Sequence, residues 1–147
     1  MATADHARYI GENMRAADRQ EVWASSHALP DAATMESFRR SLECWTGVVD
    51  GEPICIFGVA PVSLVTGYAA PWMLGTDQLE RNAVKFLRGS KEVVAGWKRD
   101  YRHLFNYVDA RNKTSIRWLK WLGFELEEPA PYGAEKLPFH RFEYLRK

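Results

Sequence analysis

Apolar positions in the first forty residues recur at helical spacing. Ala7, Tyr9, Ile10 and Met14 share one side of a helix that Thr3 or Asp5 can cap and that runs to about Asn13. Asp18 is placed to cap a second helix, Arg19 to about Ser26, with Glu21 at its third position, where it can reach back to the cap, and Val22 and Trp23 facing inward. Asp31 opens a third, Ala32 to about Leu42, in which Met35, Phe38 and Leu42 repeat at the same spacing.

After Leu42 the period shortens. Cys44–Val49 and Pro53–Ala60 are β-branched and aromatic runs flanking Asp50-Gly51, a pair suited to a hairpin turn because both residues tolerate positive φ. Gly67–Leu74 reads as a further strand. Pro71 lacks a ladder donor, which marks an edge, a bulge or a place where pairing stops. Gly75-Thr76-Asp77 turns the chain, with Thr76 as a cap. A long helix then covers about Ala83 to Arg102, with Val84, Leu87, Val94 and Trp97 inward and basic residues outward. Leu104–Asp109 is a strand, Thr114–Leu122 a helix, Phe124–Glu128 a strand, Pro129–Pro138 a loop and Phe139–Leu145 the last strand. This order predicts one α/β domain over residues 1–147, with a mixed sheet and one right-handed crossover that creates a parallel pair.

Composition narrows the function classes. With 46% hydrophobic and 13% aromatic residues, the chain can bury a full core. A formal net charge of +1 gives no global attraction to nucleic acid or membrane, so nucleic acid is not an expected partner and any such binding must come from a local patch. Between Arg81 and His103 lie seven basic residues (Arg81, Lys85, Arg88, Lys91, Lys98, Arg99, Arg102) against Glu92 and Asp100. That is either a solvated helix face or a site for a phosphate-bearing ligand. Cys44 and Cys55 sit in apolar strands without a partner motif and read as core thiols of a reducing compartment; no metal site and no membrane span is expected.

The segment Asp109–Glu125 carries the most information. Asn112 falls at a strand-to-helix corner, where it can cap its own helix or face a polar ligand beside free N–H groups. Ile116, Leu119 and Leu122 form the buried stripe of the helix, Trp118 widens it, and Lys113, Arg117 and Lys120 line the other side. Gly123 suits the left-handed position after a helix.

The strand Leu104–Val108, the Asn112 corner and the helix closing on Leu122-Gly123-Phe124 together resemble the C-terminal half of the GCN5-related N-acetyltransferase (GNAT) fold. Met14–Trp23 resembles that family's first helix, and the Asp50–Pro53 hairpin and Trp72–Gly75 strand end fall in its order. The resemblance implies a mostly antiparallel sheet, split between two parallel strands and flanked by helices, with acetyl-CoA as the cofactor. The positions it assigns to that cofactor are Met73, Leu74, Asn112 and Ser115, with Arg88 and Gly89 in the nearest equivalent of the glycine-rich phosphate turn. A narrower resemblance, carried by residues 71–78, 105–112, 116–124, 131–133 and 139–143, is to internal virion protein A of short-tailed bacteriophages, a GNAT-like family. It implies a phage origin, a role in virion assembly or infection through binding to phage or host proteins, and a location in the host cytoplasm or the virion.

Catalytic chemistry is less well marked. The Arg88–Lys91 turn has one glycine where the family pattern has at least two, and the alternative turn at Gly75-Thr76-Asp77 sets an acid beside the diphosphate. The family's acid, a tyrosine, aligns with Leu119, which has no proton to give; Tyr107 or a water would have to replace it. His103, His140, Glu125 and Asp109 are candidate bases, though a lone His or acid near a strand end is more often a satisfied structural group, and Cys55 is a weaker candidate nucleophile. The residues leave three readings open: a binding protein with a degraded cofactor cleft, a working N-acetyltransferase, or a nucleic-acid module using the basic helix.

Overall fold

The computed structural model describes residues 1–146. Three helices come first: α1 (Ala4–Glu12), α2 (Ala16–Ser26) and α3 (Pro30–Arg40). The strands are β1 (Glu43–Val49), β2 (Glu52–Ser63), β3 (Tyr68–Gly75), β4 (His103–Asp109), β5 (Glu125–Leu126), β6 (Ala130–Tyr132) and β7 (Leu137–Leu145). Between β3 and β4 run a single turn, α4 (Gln78–Arg81), and the long α5 (Ala83–Asp100); α6 (Lys113–Trp121) follows β4.

Thr3 caps α1 as expected, its hydroxyl accepting from His6 N–H while the His6 ring accepts from Thr3 N–H. The start of α2 differs from expectation. It begins at Ala16, so Asp18 lies in the first turn rather than at the cap, and its side chain is wholly buried. Glu21 does not reach back either; its carboxylate accepts from the Asp109 N–H of β4. Trp23, expected inside, is 48% exposed, because α2 turns Asp18 and Ala24 inward. In α3, Pro30 takes the first helical position, where its missing N–H costs nothing.

The sheet order is β1-β2-β3-β4-β7-β5, with β6 sharing the β5 edge of β7. Asp50 (φ 51°) and Gly51 (φ 80°) make the expected two-residue turn between β1 and β2. All pairings are antiparallel except β3 with β4, which lasts for two residue pairs, Tyr68 with His103 and Ala69 with Leu104. Pairing ends just before Pro71, and the sheet opens there into a V. The Asn106 side chain partly replaces the lost ladder, its Nδ2 donating to Pro71 C=O at 3.0 Å. The loop expected over Pro129–Pro138 contains β6, and β7 starts at Leu137.

One core lies between the sheet and the α5/α6 pair, around Phe57, Phe86, Trp97, Leu104, Trp118 and Phe142. A smaller one, around Ile10, Met14, Ile56 and Leu74, lies on the other face under α1 and α3. Buried large side chains each contribute about 1.5–3 kcal/mol. The buried stripe of α5 is Phe86-Ser90-Val94-Trp97, not the expected one through Val84, which is 62% exposed. Ser90 belongs there because its hydroxyl accepts from the Trp118 indole at 3.0 Å; the Trp97 indole donates to Glu43 at 2.8 Å. Among the described residues no helix is long and apolar enough to cross a membrane.

Candidate functional site: a cleft at the split of the sheet

The V between β3 and β4 is a cavity of about 190 Å³. Trp72, Met73 and Leu74 form one wall, Asn106, Tyr107 and Val108 the other, and Ser115, Trp118 and Leu119 of α6 line it too. Glu21, Val22 and Ser25 of α2 and Tyr132 of β6 complete the lining. The β6–β7 turn docks on the C-terminal end of α2 through Ala134 N–H to Ser25 C=O and Glu135 N–H to Ala24 C=O, both 3.0 Å. Gly133 permits this approach: its φ is +79°, and a Cβ there would meet Ser25 Cα at 2.7 Å.

A buried ionic network underlies the cleft. Arg15, 3% exposed, donates to Asp18 from Nε at 2.8 Å and from an Nη at 2.9 Å. The same Nη donates to Asn112 Oδ1 at 2.8 Å and to Ser115 Oγ at 3.2 Å. Asp18 also accepts from Gly75 N–H at 2.8 Å and Asn112 Nδ2 at 3.0 Å. Burial pushes the Asp18 carboxyl upward, and Arg15 and the other donors oppose that shift.

Glu21 Oε1 accepts from Asp109 N–H at 2.7 Å and from Asn112 Nδ2 at 3.3 Å. Its other oxygen takes no hydrogen bond from the described residues and is left to the cleft. Burial, with the neighbouring charge of Asp18 second, pushes the Glu21 carboxyl up to about 8. A count of charges points the same way. The network holds three carboxylates, Asp18, Glu21 and Asp109, but Arg15 answers Asp18 and Arg111 answers Asp109. Glu21 is the one left to carry a proton, and near neutral pH it can both accept and release it.

The expected site residues separate into two groups. Met73, Leu74 and Ser115 line the cleft, and Asn112 lies directly beneath it. Asn112 caps α6 through Ser115 N–H at 3.4 Å, and its amide is otherwise spent on Arg15, Asp18 and Glu21. Arg88 and Gly89 are exposed in the interior of α5, away from the cleft, where backbone N–H groups are committed to the helix. Leu119, which the resemblance aligns with the family's acid, lines the cleft, as does Tyr107. Tyr107 stacks on Tyr132 with centroids 3.9 Å apart, and burial, then Tyr107, raises the Tyr132 phenol, so it stays a protonated donor.

Of the candidate bases, none lines the cleft. His103 binds Glu143 at 2.8 Å, His140 donates to Glu127 C=O at 2.8 Å, Glu125 is exposed, and Asp109 is held by Arg111. Burial pushes the Cys55 thiol up to about 12, so it is not a nucleophile at neutral pH. The carboxyl that lines the cleft is Glu21. In the sequence Arg15, Asp18 and Glu21 recur at three-residue spacing from the cap of α2 onward, a polar stripe that by itself reads as a solvated face. Among the described residues no group of three or more His, Cys, Asp or Glu side chains could hold a metal ion.

The alternative phosphate turn, Gly75-Thr76-Asp77, does not fit the phosphates of acetyl-CoA either. Its amides are used within the protein: Gly75 N–H by Asp18, Thr76 N–H by Ile54 C=O at 2.9 Å, Gln78 N–H by Thr76 Oγ1 at 3.2 Å and Leu79 N–H by Thr76 C=O at 3.1 Å. Glu80 then spans from α4 to the mouth of α6, accepting from Arg15 at 3.3 Å and Thr114 at 3.1 Å. A diphosphate at that turn would find few free donors and a carboxylate in its place.

No protein-family model matches the sequence, and no curated protein matches it. Solved structures do resemble it in shape. Smu.2055 from Streptococcus mutans UA159 superposes with a TM-score of 0.71 at 13% identity, over 99% of this chain and 96% of that one. RimL, a ribosomal L7/L12 α-N-protein acetyltransferase in complex with coenzyme A, gives 0.71 at 10% identity over 99% and 91%. AAC(6')-Ib in complex with ribostamycin and coenzyme A gives 0.69 at 14% identity over 99% and 91%. With its seven-stranded, mostly antiparallel sheet split at one parallel pair, the protein has the GNAT fold.

Proposed function

We propose that this protein acts by binding, with a GNAT cleft that no longer holds acetyl-CoA in the family's manner. The observation that carries this reading is the closed Gly75-Thr76-Asp77 turn, where the Gly75, Thr76, Gln78 and Leu79 amides are taken up within the protein and Glu80 bridges Arg15 and Thr114. Leu119 in place of a proton donor supports it. The resemblance of residues 71–78, 105–112 and 116–124 to internal virion protein A of short-tailed phages supports a role in virion assembly or infection, with phage or host proteins as partners in the host cytoplasm or the virion. Calorimetric titration with acetyl-CoA is expected to give no saturable binding below about 1 mM. A micromolar dissociation constant overturns the reading.

A second reading, N-acetyl transfer, is favoured by one observation: Glu21, a carboxyl with pKa raised to about 8, borders the cleft as a general base would. If it holds, radiolabelled acetyl-CoA should mark proteins in a lysate, and Glu21→Gln should abolish the labelling. Absence of label with the unaltered protein removes it.

A further inference from the structure

The balanced net charge conceals a separation. Residues 78–122 contain eleven Lys/Arg against four Asp/Glu, while the rest of the chain contains nine against fifteen. Two of those four acids are already committed, Glu80 to Arg15 and Asp109 to Arg111. The excess lies on one surface. Helices α5 and α6 run side by side: Leu87 and Ala83 meet Thr114 and Arg117 in one hollow, and Lys91 and Ala95 meet Trp121 in the next. The groove between them is therefore rimmed by both helices. Lys91 Nζ lies 5.6 Å over the Trp121 ring, across that groove.

Arg81, Lys85, Arg88 and Lys91 on one side and Lys113, Arg117 and Lys120 on the other are all exposed. None of the seven pairs with a carboxylate among the described residues. Lys98 does not belong with them: it is spent on Leu122 C=O and lies 4.7 Å over the Tyr144 ring. A solvated helix face commonly alternates signs so that charges offset one another; here two neighbouring helices present one sign. Self-repulsion of this kind is relieved when a polyanion replaces the counterions.

We propose that the α5/α6 surface binds the phosphate backbone of nucleic acid. A protein partner fits less well, because protein interfaces depend on apolar anchors at their centre, and this surface exposes few beyond Val84 and Trp121. The surface is independent of the cleft: the seven cations lie outside its lining, and acetyl-CoA titration reads the cleft separately.

The test is fluorescence anisotropy with a labelled DNA duplex of about 20 base pairs, at salt from about 50 to 200 mM. Binding should weaken steeply with salt, with a slope of log K against log salt of about −3.5 to −5.5 for four to six phosphate contacts. The triple variant R88E/K91E/R117E should bind at least about 10-fold more weakly and with a slope reduced by about 3; R88Q/K91Q/R117Q should fall between. Reversing Arg39 and Arg40, on α3 across the sheet, should change neither. The proposal is overturned by no retention at the lowest salt, by a salt-independent affinity, or by equal losses in the α3 variant. Competition by polyglutamate as effective as by unlabelled duplex also overturns it, in favour of an acidic protein partner. Unchanged circular dichroism of the variants keeps a negative result interpretable.

Discussion

Replacing Arg15 with Met is expected to destabilise the fold by about 3–5 kcal/mol in urea denaturation, more than any other single exchange in the buried network. Arg15 is a buried cation whose donors serve Asp18, Asn112 and Ser115 together, so its removal strands a carboxylate and an amide with no route to water. Asp18→Asn alone should also destabilise, by leaving the guanidinium without its buried counter-charge and with only the exposed Glu80 as a partner. The double variant should lose clearly less than the sum of the two, because the unpaired charge is gone; strict additivity would show that the pair is not coupled.

Glu21→Gln is expected to have the opposite sign above neutral pH. The folded pKa of about 8 lies above the ordinary value of 4.5, so the neutral carboxyl favours the fold. That contribution is fully present below pH 4.5 and is lost as pH rises through 8. Gln keeps the oxygen that accepts from Asp109 N–H and never ionises. The variant and the unaltered protein should therefore match in stability near pH 4.5, and the variant should be more stable at about pH 8.5. At ~1.4 kcal/mol per unit, halved because Glu21 is only partly buried, the gain is on the order of 2 kcal/mol. Urea midpoints across that range check it, and parallel pH curves for the two proteins would refute the assignment.

What could be read in advance was local chemistry. Asp50-Gly51 specifies its turn because only certain residues accept positive φ, and Gly123, at φ +93°, closes α6 for the same reason. The Asn112 corner and the Ile116-Leu119-Leu122 stripe follow from capping and period. What could not be read depends on what packs against what. Arg15, Asp18 and Glu21 have the spacing of a solvated helix face, and nothing in α2 alone reveals that this face covers the split of the sheet. The same gap misassigned Val84 and Trp23: each is apolar, but the sides of α5 and α2 that meet the core were set by Trp118 and by the buried ions. At the Gly75-Thr76-Asp77 turn only the misplaced acid was legible in the sequence; that Asp18, Thr76 and Ile54 take up the Gly75, Thr76, Gln78 and Leu79 amides is a tertiary fact.

The brief β3–β4 pairing also has a kinetic consequence. Only two ladder positions join residues 43–75 to residues 103–145, and the contacts of Arg15 with Asn112 and Ser115 span 97 and 100 residues. Contacts that close so much chain are reached late, after the β2–β3 and β4–β7 pairings have formed by shorter routes. In stopped-flow measurements Arg15→Met should thus speed unfolding many-fold while leaving the refolding rate nearly unchanged. The seam that shapes the cleft would then be the bond that governs how long the native state survives.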